Sequence, residues 1–568
     1  MDFSDVQMYI IIKLMFIVFL ISSIYLVHKK KKKIYFLLLV GLISSASYFF
    51  LTNDLASMLW GLQGDEITIA AMYNTFAHVG LGSDFAYHNL PPFYPPAFFW
   101  FFGLIGKMMN WNGVLIAKFA SFCFFLCFPA GLYYYQKFLE KNSNPHERPN
   151  EIFALLCPLV ILTVLDKDLL IGKPYEVIAA AATVFWYINL YRKILEDRWS
   201  HKQSIIYGTI AGAIFMVYYL WLIFAAIAFF LLGLFNNKQS RIKYFFRLFQ
   251  TMLVTLLVST PFLLPLIRSY TQFGMESWQT AFFTPKGLDL WLPMFQLNSI
   301  NNLIYLFGLG VLIFFRKHTI TKQLLFLFIT AFIWWGGGMI SLLFFKTPFQ
   351  EFRGFYVLSP TLLAIAAAYG IDRIWHHFKV SDNKDISFTI TVIGILFFAS
   401  QSMFGVFVDD PIVKMRRVES RYVNESIVHL ADFLKKDPKA SSKLTLQTVP
   451  QILAFIPLHH VIYFNQHNNH PTAIFSKRYA YVESLAHSQT TEELYQKVIN
   501  SPYGELERFI FSGDDEYYYL YFHVDKIIQG VEEKKIKIDK KLFESENFVK
   551  VYEVNNYTVI DVIKREDT

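Results

Sequence analysis

The stretch "QGDEITIAAMYNTFAHVGLGSDFAYHNLPPFYPPAFFW", residues 63–100, decides the fold. It lies between hydrophobic runs long enough to cross a membrane, yet it carries five acidic or imidazole side chains and no Lys or Arg. Ile69, Met72, Tyr73 and Phe76 follow the i, i+3, i+4, i+7 spacing of one helical face. This predicts a helix lying in a membrane interface with Asp65 and Glu66 at its N-terminus. Two roles suit these acids. As caps they complement the helix dipole, worth about 1 kcal/mol. As a general base, an ionised carboxylate takes the proton of an attacking hydroxyl beside the membrane. The "PPFYPP" that follows is incompatible with uninterrupted helix. The apolar block 93–109 is therefore read as interfacial or re-entrant rather than spanning.

Working outward, a chain of 568 residues that is 54% hydrophobic and only 17% charged falls outside the range of soluble domains. Its apolar residues gather in blocks of roughly 16 to 24, the length a helix needs to cross the hydrocarbon. The first block runs to Val27 without a cleavage site and reads as a retained helix. The net charge of +8 suggests nucleic acid only until the cations are located, and most fall in short loops. They occupy "HKKKKK" (28–33) and the loops near 137–148, 192–202, 238–247, 316–322 and 373–384. With block 93–109 kept out of the count, every basic loop becomes cytoplasmic and about twelve spans result. The outer face then holds the opening stretch, "DKDLLIGKPYE" (166–176), the loop 268–301, "KTPFQEFR" (346–353) and all that follows 409.

The chain thus divides into a polytopic α-helical membrane domain, 1–408, with an outer catalytic loop at 54–110, and a soluble extracytoplasmic α/β domain, 409–568. "KLTLQTV" (443–449) and "FVKVYEV" (548–554) are its expected strands. Cys123, Cys127 and Cys157 all lie in apolar blocks and read as packing residues. Among the outer cations, Lys173, Lys346 and Arg353 suit a phosphate, although a lone interfacial Lys or Arg is more commonly a snorkelling residue. "HHVIYFNQHNNHP" (459–471) contains four histidines, which suits either a metal site or an exposed loop hydrogen-bonding sugar. A single Asp-Glu pair without a clear third ligand leans against a resident metal, with Mg or Mn the candidates. No P-loop, dinucleotide fingerprint or HExxH occurs.

"GDE" at Gly64–Glu66 and "LPPFYPPAFFW" at Leu90–Trp100 resemble the first outer loop of the galactan 5-O-arabinofuranosyltransferase family of actinobacterial cell walls, within the GT-C glycosyltransferase superfamily. "KPYEVIAA" (173–180) and "FNQHNNHPTAIFSKRYAYVESLA" (464–486) are similar to the same family. The resemblance implies an inverting transfer of D-arabinofuranose from decaprenyl-phosphate arabinose to a galactan hydroxyl outside the cell membrane. Asp65 would be the base, with Glu66 assisting. Substrate contacts are expected from His88, Tyr94, Trp100, Lys173, Glu176, Lys346, Arg353, His467 and His470. Asp65 itself is expected to be unpaired, because its neighbourhood in sequence lacks a cation. Glu66 stands where the family pattern has an amide, and the Lys-, Ile- and Asn-rich composition is unlike a high-GC actinobacterial chain. Which acid is the base, and which sugar and surface polysaccharide are used, stay open on these grounds. A flippase of lipid-linked sugar is the competing class, as is a non-catalytic assembly protein. Against the flippase, no internal repeat is visible and the acids concentrate in an outer loop.

Overall fold

The computed structural model describes residues 3–29, 32–140, 151–196, 199–235, 240–276, 288–347, 350–378, 380, 383–526 and 530–564. Much of the expected basic loop at 137–148, and parts of others, lie outside these residues.

The membrane part is a helical bundle. Among the described residues six helices are long and apolar enough to cross a bilayer, or seven if the bent pair Arg241–Val258 and Thr260–Phe273 forms one span. A count of twelve needs shorter helices, such as Glu151–Val164 and Leu220–Leu234, to cross as well. Two ion pairs mark opposite ends of the bundle. Lys33 meets Glu151 at 2.8 Å at one end. At the other, the buried Arg417 guanidinium pairs with Asp5, grips both oxygens of Asp54 at 2.6 and 2.5 Å, and donates to the Leu51 carbonyl. This second cluster ties the segment after the last span to the first hairpin, on the side that loop charge assigns to the exterior.

Helices α1 (Phe3–His28) and α2 (Lys33–Thr52) lead into α3 (Asp65–His78). Gly64, at φ 57°, makes the turn that starts α3. That conformation is open to glycine and costly for most residues. Every residue from Ile67 to Ala77 is buried. The sequence pattern led us to expect a helix lying in the interface with one face exposed; instead α3 is enclosed on all sides. Two later helices, α4 (Ala97–Met109) and α5 (Gly113–Glu140), close on it through glycines. A Cβ on Gly113 would lie 2.0 Å from the Ala70 carbonyl oxygen, and one on Gly103 would lie 2.8 Å from Phe76 Cβ. From the other side the Asn74 amide donates to the Leu453 carbonyl at 3.0 Å. At about 20 Å, α4 is too short to cross roughly 30 Å of hydrocarbon. It buries Phe99, Phe102, Gly103 and Gly106 and leaves Phe101, Leu104 and Met108 exposed.

Beyond α5 come α6 (Glu151–Val164), the short α7 (Lys167–Gly172) and α8 (Pro174–Leu195). The C-terminal part is built on seven strands: β1 (Leu444–Gln447), β2 (His459–His460), β3 (Arg508–Gly513), β4 (Tyr517–Lys526), β5 (Gly530–Asp539), β6 (Phe548–Val554) and β7 (Tyr557–Val562). β1 runs parallel to β2 and β3, and all other pairings are antiparallel. One sheet face, carrying Leu446, Phe509, Phe511, Leu520 and Phe522, packs under the helices Phe475–Ala486 and Thr491–Ile499 as a core of its own. The opposite face presents Ile510 and Val559 to the core shared with the membrane helices. Alternation along the strands thus gives each face its own core.

Candidate active site

The site forms where α3, the turn between α7 and α8, and the segment 350–356 converge. Asp65 occupies the first helical position of α3, and Gly64 provides no side-chain cap. Its carboxylate is not free: Lys173 Nζ meets Asp65 Oδ2 at 2.7 Å. The expectation of an unpaired Asp65 is therefore wrong, because the cation arrives from a loop 108 residues away. Lys173 holds the Asp65 carboxyl well below the usual carboxylate range, against the opposing effect of burial. Glu66, the next residue, is pushed the other way. Burial, with the Asp65 charge adding to it, raises its carboxyl to about 7. Adjacent acids thus differ sharply in proton affinity, as expected where one works ionised and the other exchanges a proton near neutrality.

Past Lys173, the charges alternate. Pro174 starts α8, placing Glu176 in its first turn, fully buried. Arg353 Nη1 lies 3.8 Å from Glu176 Oε2, and its Nε donates to Gln350 Oε1 at 2.6 Å. The Tyr356 ring lies between the two cations, 5.6 Å from Lys173 Nζ and 5.8 Å from the Arg353 guanidinium. Tyr356 also lines a cavity of about 940 Å³, with Trp60, Asp168, Trp291, Tyr305 and Phe355 on its other walls. That volume is within the range of cavities that enclose a small-molecule ligand. The row Asp65, Lys173, Glu176, Arg353 therefore stands at the margin of an aromatic chamber.

Other expected residues fall around this row. Tyr94 reaches Tyr175, whose hydroxyl is 3.2 Å from its own, and its ring lies 6.0 Å from that of Tyr218. It belongs to the aromatic wall behind Lys173. Trp100 packs edge-on to Phe76 on the far side of α3, a structural position. Lys346 is exposed at the left-handed end of the helix Thr319–Phe345 and makes no ion pair among the described residues. His88 stacks on His459 at 5.2 Å and its backbone N–H donates to that ring.

The histidine-rich stretch is not the exposed sugar-binding loop expected. His460, His467 and His470 are buried. His470 Nδ1 accepts from Thr472, and its Nε2 lies 2.9 Å from the Pro91 carbonyl, pinning the Pro-framed segment. Asn468 donates to Thr68 at 3.1 Å, and Tyr463 meets the same hydroxyl at 3.2 Å. The stretch is a wedge seating the C-terminal part on α3, one turn beyond Asp65. His467 lies close enough to help keep Asp65 acidic, and 3.8 Å from the buried Asp525. Among the described residues no three His, Cys, Asp or Glu side chains group as metal ligands. The acidic pair fits a resident ion poorly, with Lys173 already beside Asp65.

Sequence reasoning missed Tyr356 and Tyr175. Both were within reach: Tyr356 follows Arg353 by three residues, one helical step, and Tyr175 stands inside "KPYE".

A buried helix bearing an acidic pair, faced by cations from remote segments and set in a bundle with a C-terminal sheet, defines a polytopic membrane glycosyltransferase of the GT-C type. The family model described as "Arabinofuranosyltransferase N terminal" matches residues 10–399, and the chain belongs to that family. A search of curated protein sequences finds no match. Among solved structures the chain is similar to ArnT from Cupriavidus metallidurans bound to undecaprenyl phosphate, at 12% identity and a TM-score of 0.51, covering 92% of this chain and 97% of that one. It also resembles the arabinofuranosyltransferase AftD from Mycobacteria (10%, TM-score 0.49), covering 93% of this chain and 42% of AftD. The Archaeoglobus fulgidus oligosaccharyltransferase is a further neighbour (11%, TM-score 0.47), with 89% and 76% covered.

Proposed function

We propose that this protein moves a sugar, D-arabinofuranose as the first candidate, from a polyprenyl-phosphate donor to a hydroxyl of a surface polysaccharide, with inversion, on the outer face of the cell membrane. The observation that carries the proposal is the alternation of Asp65, Lys173, Glu176 and Arg353 beside the aromatic cavity. Family membership favours arabinofuranose; another lipid-linked pentose or hexose would use the same chemistry.

In the reading we favour, the donor sugar enters the chamber and its phosphate meets Lys173 and Arg353. Guanidinium and ammonium are suited to a phosphodiester's charge, and Arg353 is held rigid by Gln350 and Glu176. Lys173 is then shared. Engaging the phosphate draws it from Asp65, whose carboxylate regains basicity as the donor is seated. The acceptor hydroxyl attacks the anomeric carbon from the face opposite the phosphate; the new C–O bond forms as the bond to the phosphate oxygen breaks. The hydroxyl proton passes to Asp65, and the electron pair leaves on the polyprenyl phosphate, its charge balanced by Lys173 and Arg353. Glu66, protonated below about pH 7, is placed to donate a hydrogen bond to a sugar hydroxyl. No step is assigned to a metal.

The test is transfer of label from synthetic decaprenyl-phosphate arabinose to an oligogalactan in membranes holding wild type, Asp65→Asn or Glu66→Gln at matched levels. Transfer by wild type and its loss in Asp65→Asn supports the reading. Normal transfer by Asp65→Asn removes Asp65 as base, and an inert, folded wild type removes arabinose as the sugar.

A further inference from the structure

Helix α7 runs along the wall of the aromatic chamber and ends one residue before Lys173. Every residue from Leu162 to Leu170 lines that chamber, and the stretch is held firmly. The Tyr305 hydroxyl and the Asn301 amide both donate to the Val164 carbonyl, at 2.7 and 3.3 Å. Leu169, Leu170 and Ile171 are buried, and Ser121 donates to the Ile171 carbonyl at 2.7 Å. A side chain carried on this wall is therefore presented by a rigid support.

Four acids line the chamber: Asp166, Asp168, Asp289 and Asp410. Asp166 caps α7, accepting from the Asp168 N–H at 3.2 Å. Asp410 caps the helix Pro411–Ser420 through the Ile412 N–H at 2.8 Å and pairs with Lys167. Asp289 lies on the exposed loop ahead of Trp291 and is not among the strongest charges acting on Asp65, Glu66 or Lys173. Asp168 differs from all three. Its carboxylate makes no hydrogen bond or ion pair among the described residues. The cations that act on it are Arg416, Lys173 and Lys167, and each is engaged by another acid: Arg416 by Glu419 at 2.9 Å, Lys173 by Asp65 at 2.7 Å, and Lys167 by Asp410. Its charge in turn adds to the raised carboxyl of Glu66. Asp168 thus stands on the chamber wall, uncommitted, within electrostatic reach of both Lys173 and Glu66.

We propose that Asp168 reads the donor sugar: its carboxylate accepts hydrogen bonds from two neighbouring sugar hydroxyls while the phosphate meets Lys173 and Arg353. Neighbouring hydroxyls offer two donors side by side, and an ionised carboxylate offers two acceptor oxygens and no donor. Bonds of this charge-assisted kind are stronger than neutral ones, and no described residue has to be displaced from Asp168 to form them. Trp60 and Trp291, on the other walls, suit the apolar face of the same ring. A sugar lacking one of the two hydroxyls leaves a carboxylate oxygen unanswered, which makes Asp168 a specificity-determining residue. The identity of the ligand rests on the glycosyl-transfer reading; the contact concerns binding and needs no turnover.

Full-length protein in nanodiscs, without acceptor, is titrated with decaprenyl-phosphate arabinose, decaprenyl-phosphate mannose and decaprenyl methyl phosphate. The last keeps the lipid and the diester charge but carries no sugar. Wild type is expected to bind the better of the two sugar lipids about tenfold or more tightly than the methyl ester. Asp168→Ala should erase that margin, with methyl-ester binding within about twofold of wild type and the melting temperature unchanged. Asp168→Asn, left with a single acceptor oxygen, should retain part of it. Among deoxy analogues of the better sugar, one should bind wild type as weakly as Asp168→Ala binds the parent, and the alanine variant should not tell the two apart. A wild type with no sugar margin, a margin that survives Asp168→Ala, or an equal loss on sugar lipid and methyl ester overturns the proposal. Wild type that binds as expected but transfers no label refutes the transfer reading and leaves the contact standing. Wild type that transfers label while Asp168→Ala keeps its margin refutes the contact alone.

Discussion

Replacing Asp65 by Asn removes a negative charge and a proton acceptor while keeping the side chain's shape, and the site makes two opposed forecasts from that one change. The first concerns chemistry. A positioned general base is worth about 10² to 10⁴ in rate, or about 3 to 5 kcal/mol of barrier at 1.36 kcal/mol per decade, so kcat should fall by that factor. The second concerns donor affinity. Wild-type donor binding must detach Lys173 from Asp65 across a 2.7 Å contact whose acid is 46% exposed. At that exposure solvent screens the pair, and about 0.2 to 1 kcal/mol is the appropriate strength. Freeing Lys173 should lower the donor Kd by about 1.4- to 5-fold. The assay is steady-state transfer with varied polyprenyl-phosphate sugar, with donor binding measured separately by titration. A kcat within tenfold of wild type would refute the base assignment. A large loss of kcat with weaker donor binding would refute the shared lysine, and would mean that Asp65 binds the donor itself.

Lys173→Met should raise the donor Kd and lower kcat together, since it removes a phosphate contact that persists on the leaving group; an unchanged Kd in the same titration would exclude Lys173 from the phosphate site. For Glu66 the sign follows from its raised carboxyl. Between its ordinary value of 4.5 and about 7 the folded protein holds a proton the unfolded chain has lost, so this group's contribution to stability is full below 4.5 and fades as pH rises through 7. Ionisation above 7 also adds a second negative charge beside the donor phosphate, so the donor KM should climb there in wild type and stay level in Glu66→Gln. Gly113→Ala should cost about 1 to 3 kcal/mol by overpacking, since its Cβ would meet the Ala70 carbonyl oxygen at 2.0 Å; the expected result is a lower melting temperature with kcat reduced through displacement of α3. Unchanged melting and transfer would show that α3 has slack the structure does not display.

What the sequence made legible was whatever local chain chemistry controls. Proline spacing at 91–96 identified a break before the short helix α4, and "FVKVYEV" identified β6. What it concealed was contact between remote segments. Helix α3 reads as half-exposed because its covering partners, Gly113, Gly103 and Leu453, come from three other elements. The histidine stretch reads as an exposed loop for the same reason: nothing near residue 470 announces that its ring will be paired with the carbonyl of Pro91. Asp65 shows this most sharply. The absence of a cation from residues 63–100 constrains only neighbours in the chain and says nothing of a cation brought to the carboxylate from a remote segment. A partner on the same rigid helix, at i+3 or i+4, would stay attached at every stage of a reaction. Lys173 instead sits at the start of another helix, with its ammonium between Asp65 and Tyr356. It can exchange one anion for another without moving α3. A stretch cleared of local cations therefore fits an acid whose partner must come from elsewhere, so that the partner can be taken away when the donor phosphate arrives.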